Sequence, residues 1–281
     1  MTAAALALLA SFSWGTSDFL AGLESRRSTA WTVALGGQVV AALSLLILLL
    51  ALSPDRPAPG AMVAPAVGGL VGGVGVVLGY KAFALADLSL VSPIIAGAAL
   101  VPVLWGVASG ERPGGVQVLG ISCALLGMVM ISSTGRRDAG EARSRTRTGI
   151  LMAILCAVAM GLFLVALSYG DKAEPLYTVT AARTTAALTL LVVAAAARPA
   201  IRLRRRMLPT LLLVGLLIAA ANLLFTSATT HGYLSVVGVL GWLNPAVTMV
   251  WAAGVLHERL KPLQMVAAAL VFAGIVCITL G

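Results

Sequence analysis

Apolar runs of about 20 residues follow one another along this chain, joined by short polar or basic turns, and a helix of about that length is what crosses a bilayer. Lipid offers no partner for a backbone N–H or C=O, so a spanning segment must be a helix or part of a closed barrel. A barrel would need strands of alternating apolar and polar letters, which are absent. The expectation is an all-α integral membrane protein. Ten spans can be placed: 2–22, 30–52, 62–86, 89–109 and 115–133, then 149–170, 175–197, 207–231, 234–256 and 263–280.

Composition agrees with that reading. Hydrophobic residues make up 60% of the 281 and charged residues 10%, against about 25% charged in soluble domains. The formal charge of +9 could point to nucleic acid, but the arginines cluster in turns between apolar runs and no basic stripe is interleaved with aromatics. No nucleic-acid partner is expected. Cys123, Cys156 and Cys277 lie inside apolar runs without Cys-x-x-Cys spacing, so they read as packing residues, not as a metal site or a disulfide. The apolar start, Met1 to Leu9, has no basic residue before it and continues through Trp14 and Phe19, so it reads as the first span and not as a cleaved signal.

The segment 234–280 repeats the layout of 88–132. With a shift of 147 positions, Glu111, Arg112, Gln117, Gly127 and Ile131 fall on Glu258, Arg259, Gln264, Gly274 and Ile278. Polar letters at equal spacing identify a duplicated hairpin. The basic, polar segment Thr134–Thr148 then separates a first repeat, 1–133, from a second, 149–281, and reads as a mobile linker. Five spans per repeat is odd, so the second repeat starts from the opposite side of the membrane and the two are inverted copies. Transporters use inverted repeats to place a site at the repeat interface.

The paired hairpins ending in Gly110-Glu111-Arg112 and His257-Glu258-Arg259, with Trp14-Gly15, Arg183 and Asn244-Pro245, resemble the EamA-type transporters of the drug/metabolite transporter superfamily. The resemblance covers nearly the whole chain. It implies a carrier of small metabolites, from amino acids to sugars, nucleosides and drugs. Gly37-Gln38 stand where a first-half counterpart of Arg183 would be, and Ala98 stands opposite Pro245, so the site is expected to be asymmetric.

Ionisable residues at span depth are costly and are functional candidates by default. Asp18 and Lys81 lie roughly 6–9 Å from the same ends of their spans at 1.5 Å per residue, so they could pair, and Gln38 has comparable depth. Asp18 and Lys81 are the candidates for coupling, with Asp18 alternating between the Lys81 pair and a proton; a permanent structural pair is the other reading. Arg183, Asn222 and Asn244 fall near the midplane. Arg183 needs an anion, from a protein carboxylate or from a substrate carboxylate or phosphate, unless helix carbonyls and threonine hydroxyls suffice. The expected substrate site is Arg183, Asn222, Asn244, Trp14, Gln38, Tyr80 and Trp242, with Phe163 and Phe225 as further wall candidates; packing between helices is the competing use of each aromatic. Pro93, Pro102 and Pro245 interrupt the fourth and ninth spans, which are therefore expected to line the pathway. Glu111 and Glu258 read as hairpin locks, and the six glycines between Gly68 and Gly79 as helix packing.

No Gly-x-Ser-x-Gly, His-Glu-x-x-His or Gly-Lys-Ser/Thr loop is present, so no enzyme and no cofactor is expected. The reading is a multi-pass carrier of the cell membrane, a monomer or weak homodimer, exporting small anionic or zwitterionic metabolites, with protons as a candidate coupling partner. The alternatives are an uptake carrier for sugars or nucleosides and a channel-like facilitator, which would usually show a ring of pore-lining groups.

Basic residues favour the cytoplasm. One set of turns holds 14 of them, from Arg26 and Arg27 through the 134–148 segment and Arg198–Arg206 to Lys261; the other holds Arg56, Arg112 and Lys172. Both termini should therefore be outside, although relatives of the resembled family are often drawn with both inside. A C-terminal reporter active only in the cytoplasm should be silent here; activity would reverse the orientation.

Overall fold

The structure, a computed structural model, describes residues 2–53, 55–86, 88–133, 143–170, 174–256 and 262–280. They form twelve α-helices and no strand: α1 Thr2–Ser25, α2 Ala30–Leu52, α3 Val63–Leu85, α4 Leu88–Ala96, α5 Leu100–Ala108, α6 Gly115–Ser133, α7 Arg143–Ser168, α8 Pro175–Ala197, α9 Leu208–Thr229, α10 Leu234–Gly241, α11 Asn244–Val255 and α12 Pro262–Leu280. Among the described residues, nine segments are long and apolar enough to cross a membrane, with α4–α5 and α10–α11 counting as one each. The remaining candidate is α6, whose apolar stretch Gly115–Ile131 is shorter. The expected linker is shortened too. Its residues 134–142, like Glu258, lie outside the described residues, and Arg143–Thr148 form the first turns of α7. The apolar run nucleates that helix, and arginine, a good helix former, extends it.

The fourth span breaks at a 3-10 turn, Gly97–Ala99, and the ninth at Trp242–Leu243. Pro102 and Pro245 fall in the first turns of α5 and α11, where a missing N–H costs no helical hydrogen bond. Each break is pressed against a glycine. A Cβ on Gly161 of α7 would stand 2.7 Å from the Ala98 carbonyl, and one on Gly15 of α1 would stand 2.8 Å from the Asn244 carbonyl. Only a bare backbone lets the opening helix of one repeat reach the broken span of the other this closely.

The packing partners exchange in the same way between the repeats. Helix α3 lies along α7 as α9 lies along α1, and α3 packs on α8 as α9 packs on α2. Helices α6 and α12 run antiparallel with reciprocal close approaches: a Cβ on Gly120 would meet the Gly274 carbonyl at 2.8 Å, and one on Gly127 would meet the Ala267 carbonyl at 2.8 Å. The 147-residue shift converts the first contact into the second.

Two faces follow from the chain path. One carries Thr2, Glu111 and Tyr233. The other carries Arg26, Arg27 and the segment after α8, where Ser28 donates to the Arg202 carbonyl (3.0 Å), Thr29 donates to the Ala200 carbonyl (2.7 Å), and the Arg202 N–H donates to Thr32 Oγ1 (2.8 Å). Toward the first face, α5 and α10 cross closely, with Gly238 against Pro102, and Leu164, Phe225, Val237 and Leu240 are fully buried. Toward the basic face, α4 packs on α6 and α7 while α11 packs on α1, and α4 and α11 share no comparable face among the described residues. The broken spans are closed at one end and spread at the other.

The glycine seam of α6 and α12 carries a stability prediction. A methyl on Gly274 would stand 2.7 Å from the Ala124 nitrogen, whereas Gly254 has open space around it. Gly274→Ala should cost about 1–3 kcal/mol as overpacking. Gly254→Ala should be neutral or slightly stabilising, and thermal unfolding of the two purified variants compares them directly.

Candidate functional site

A cavity of about 160 Å³ occupies the space between the repeats. Its wall draws Trp14 and Asp18 from α1, Gln38 from α2, Met160 and Phe163 from α7, Arg183 from α8, and Trp242 with Asn244 from the break in the ninth span. Gly72 and Gly73 of α3 also line it. The ninth span thus reaches the cavity, as its proline suggests, while the fourth contributes no lining residue among the described residues.

Arg183 is buried, with 7% of its surface accessible. Its Nη1 donates to Gln38 Oε1 at 3.1 Å and its Nη2 to Asn222 Oδ1 at 2.7 Å, while Phe163 presents its ring face 4.4 Å from the guanidinium carbon. Both hydrogen-bond acceptors are neutral amides, so the charge is solvated without being neutralised. The Nε of Arg183 is buried without a hydrogen-bond partner. Asn222 is fully buried and its Nδ2 donates to the Ile218 carbonyl at 2.5 Å, so both ends of the amide are fixed. Asn222 does not line the cavity; it stands behind the wall and holds the Arg183 guanidinium.

The second polar group sits where α1 meets the break. Asn244 Nδ2 donates to Asp18 Oδ2 at 2.6 Å, and Asn244 Oδ1 is buried without a partner. Thr248, one turn along α11, donates to the carbonyls of Gly15 (3.0 Å) and Asn244 (2.9 Å), fastening the start of α11 to α1. Asp18 itself is solvent-accessible. Trp14 forms the aromatic wall beside it, 6.4 Å from Trp242 and 5.6 Å from Phe225 between ring centroids. Phe225 is fully buried behind Trp14 and does not line the cavity.

One expected pairing is corrected on α3. Asp18 and Lys81 do not pair: the carboxylate is held by Asn244 and Lys81 is exposed. Val76 lines the cavity, and Lys81, five residues on, lies roughly 140° round the helix from it. Tyr80 also stands off the lining of this cavity. Its ring stacks on Trp31 at 5.8 Å, and its hydroxyl is 3.5 Å from the Ala30 carbonyl as a donor. The apolar lining residues Val76, Met160, Ala186, Leu190 and Ile218 escape a sequence reading, because a side chain facing a cavity and one facing lipid use the same letters. The adjacent glycines 72 and 73 are the one local signal. Among the described residues, no group of His, Cys, Asp and Glu could hold a metal ion.

The model of the EamA-like transporter family matches this chain twice, over residues 1–133 and 147–280. A solved structure described as "Crystal structure of protein" superposes with a TM-score of 0.81 over 99% of this chain and 96% of that chain, at 20% identity. That likeness shows a shared fold. No curated protein matches the chain. The two family matches take in nearly all of the sequence, and the chain belongs to the EamA-like transporter family, a multi-pass membrane transporter of the drug/metabolite superfamily.

Proposed function

We propose that this transporter is a secondary active exporter of small zwitterionic or anionic metabolites, amino-acid-like in size and charge, working by alternating access. One observation carries the reading: Arg183 is a buried cation whose hydrogen-bond partners are neutral, on the wall of a cavity that also holds the Asp18 carboxylate. A substrate carboxylate would supply the missing anion to the guanidinium, whose planar fork of donors suits it. A substrate ammonium would find Asp18. The aromatic wall of Trp14 and Trp242 covers the apolar remainder.

Ten spans in two inverted repeats are the architecture this function implies. The reciprocal α6–α12 contacts support it, since a two-fold axis across an antiparallel pair produces contacts that exchange under the repeat shift. The spread of α4 from α11 supports loading from the basic face, and the charge distribution supports assigning that face to the cytoplasm and the protein to the cell membrane. Protons are the proposed coupling partner, with Asp18 as their carrier. Its accessible carboxylate can exchange the Asn244 hydrogen bond for a proton or a substrate cation. Lys81 could meet Asp18 only in another conformation.

Counterflow in proteoliposomes tests the carrier reading. Internal unlabelled amino acid should drive transient overshoot of labelled amino acid, and flux that never saturates or overshoots would indicate a channel. Arg183→Lys keeps the charge but loses the fork, so transport should fall at least about tenfold, the scale of one charge-assisted hydrogen bond. Unchanged transport would remove Arg183 from the substrate site. Asp18→Asn should still exchange substrate down its gradient but lose accumulation driven by a pH gradient. Retained pH-driven accumulation would exclude Asp18 as the proton carrier.

A further inference from the structure

We infer that Glu111 is a positioning residue of the transport cycle: by gripping the first turn of α10 it latches the cavity shut toward the face that carries Thr2. The inference rests on the alternating-access reading above. Glu111 lies in the turn after α5, and its carboxylate crosses to the other repeat. Oε1 accepts from the Leu234 N–H at 2.6 Å and Oε2 from the Ser235 N–H at 2.9 Å. Leu234 and Ser235 open α10, so these N–H groups have no partner within the helix and carry its positive dipole end. Tyr233, the residue before, gives no side-chain cap. The cap of α10 therefore comes from the other half of the molecule, as two charge-assisted hydrogen bonds.

The local chain is shaped for this contact. Gly110 has φ +98°, the left-handed conformation that returns the chain over the end of α5, and the Glu111 N–H then donates to the Gly106 carbonyl at 3.0 Å. Gly106 faces the carboxylate closely enough that any Cβ there would collide with Oε2. A turn that only had to join α5 to α6 would need neither glycine.

The position decides the role. Toward the Thr2 face, α5 and α10 cross with Gly238 against Pro102, and Glu111 ties the outer ends of the same two helices. Toward the basic face, the other halves of the two spans, α4 and α11, share no comparable packed face among the described residues. A cycle that opens the Thr2 face must separate α10 from α5, and so must break the Glu111 contacts. Helix α10 is eight residues long and ends at Gly241, next to Trp242, so its movement is delivered to the cavity wall.

Site-specific thiol labelling in nanodiscs, where both faces are reachable, tests the latch. With Cys123, Cys156 and Cys277 replaced by alanine, Leu240→Cys reports the closed end and Val76→Cys the cavity, and a polar maleimide is the probe. Without the latch mutation, Val76→Cys should label and Leu240→Cys should not. Adding Glu111→Gln should raise the Leu240→Cys labelling rate at least about tenfold, from loss of charge-assisted hydrogen bonding, and should lower that of Val76→Cys. Gly106→Ala, which keeps the carboxylate but displaces it, should do the same. Continued protection of Leu240→Cys in both monodisperse variants would overturn the latch, as would a rise at both reporters, which signals general loosening. Collapse of both variants on purification would also count against it, marking the carboxylate as a folding requirement. A rise at Leu240→Cys with Val76→Cys unchanged would uphold the latch and defeat alternating access, so the two ideas fail separately.

Discussion

Lipid accepts no hydrogen bonds, and that one deficit governs how this chain can depart from regular helix. The fourth and ninth spans are interrupted, and an interruption leaves carbonyls and N–H groups that must be covered by protein or open on a wet cavity. Here both breaks lie against glycines of the opposite repeat, Gly161 and Gly15. At the second break, Thr248 adds a hydroxyl donor to the carbonyls of both Gly15 and Asn244. The inter-repeat contacts are thus fixed by where the broken backbone needs shelter. Were Gly15 or Gly161 to carry a side chain, the broken span and its partner helix would have to separate, and the cavity between the repeats would lose its shape.

The charge at Arg183 follows a related logic. A carboxylate partner would neutralise the guanidinium and leave little attraction for a ligand. Leaving it unpaired and unsolvated at span depth would cost several kcal/mol. Two amide oxygens, one from each repeat, and the face of Phe163 give an intermediate solution: the cation is tolerated yet remains attractive to an anion. Asn222 serves this arrangement by being held at both ends, since its Oδ1 accepts from Arg183 and its Nδ2 donates to the Ile218 carbonyl.

The large features were legible in the sequence because they depend on the spacing of rare letters. Glu111, Gln117 and Gly127 with their counterparts mark the duplicated hairpin, and the family match falls on the same two halves. Trp14, Asp18, Gln38, Arg183, Trp242 and Asn244 do converge on one cavity. Sequence gives the depth of a residue in a span but not its azimuth. Lys81 and Tyr80 have the right distance from the end of α3, but one is exposed and the other is stacked on Trp31. In a soluble helix the hydrophobic stripe would fix the rotation; a helix that is apolar all round gives no such reference. The placement of Asn222 behind Arg183 depends on how α2, α8 and α9 meet, a tertiary relation that no local pattern encodes.

The asymmetry of the cavity also has a structural origin in the two breaks. Helix α11 begins at Asn244 on the cavity wall, so the positive end of its backbone dipole is directed to the region where Asp18 accepts from the Asn244 amide. Its first-half counterpart, α5, begins at Leu100 beside Gly161 and contributes nothing to the lining. One repeat therefore supplies a half-helix terminus that favours negative charge, and the other supplies Gln38 where the second has Arg183. Both cationic influences on the cavity, the side chain and the dipole, come from the second repeat, while the carboxylate comes from the first. Charge separation across the cavity therefore depends on positions at which the two repeats differ, with Gln38 on α2 set against Arg183 on α8 and Asp18 on α1 set against the start of α11.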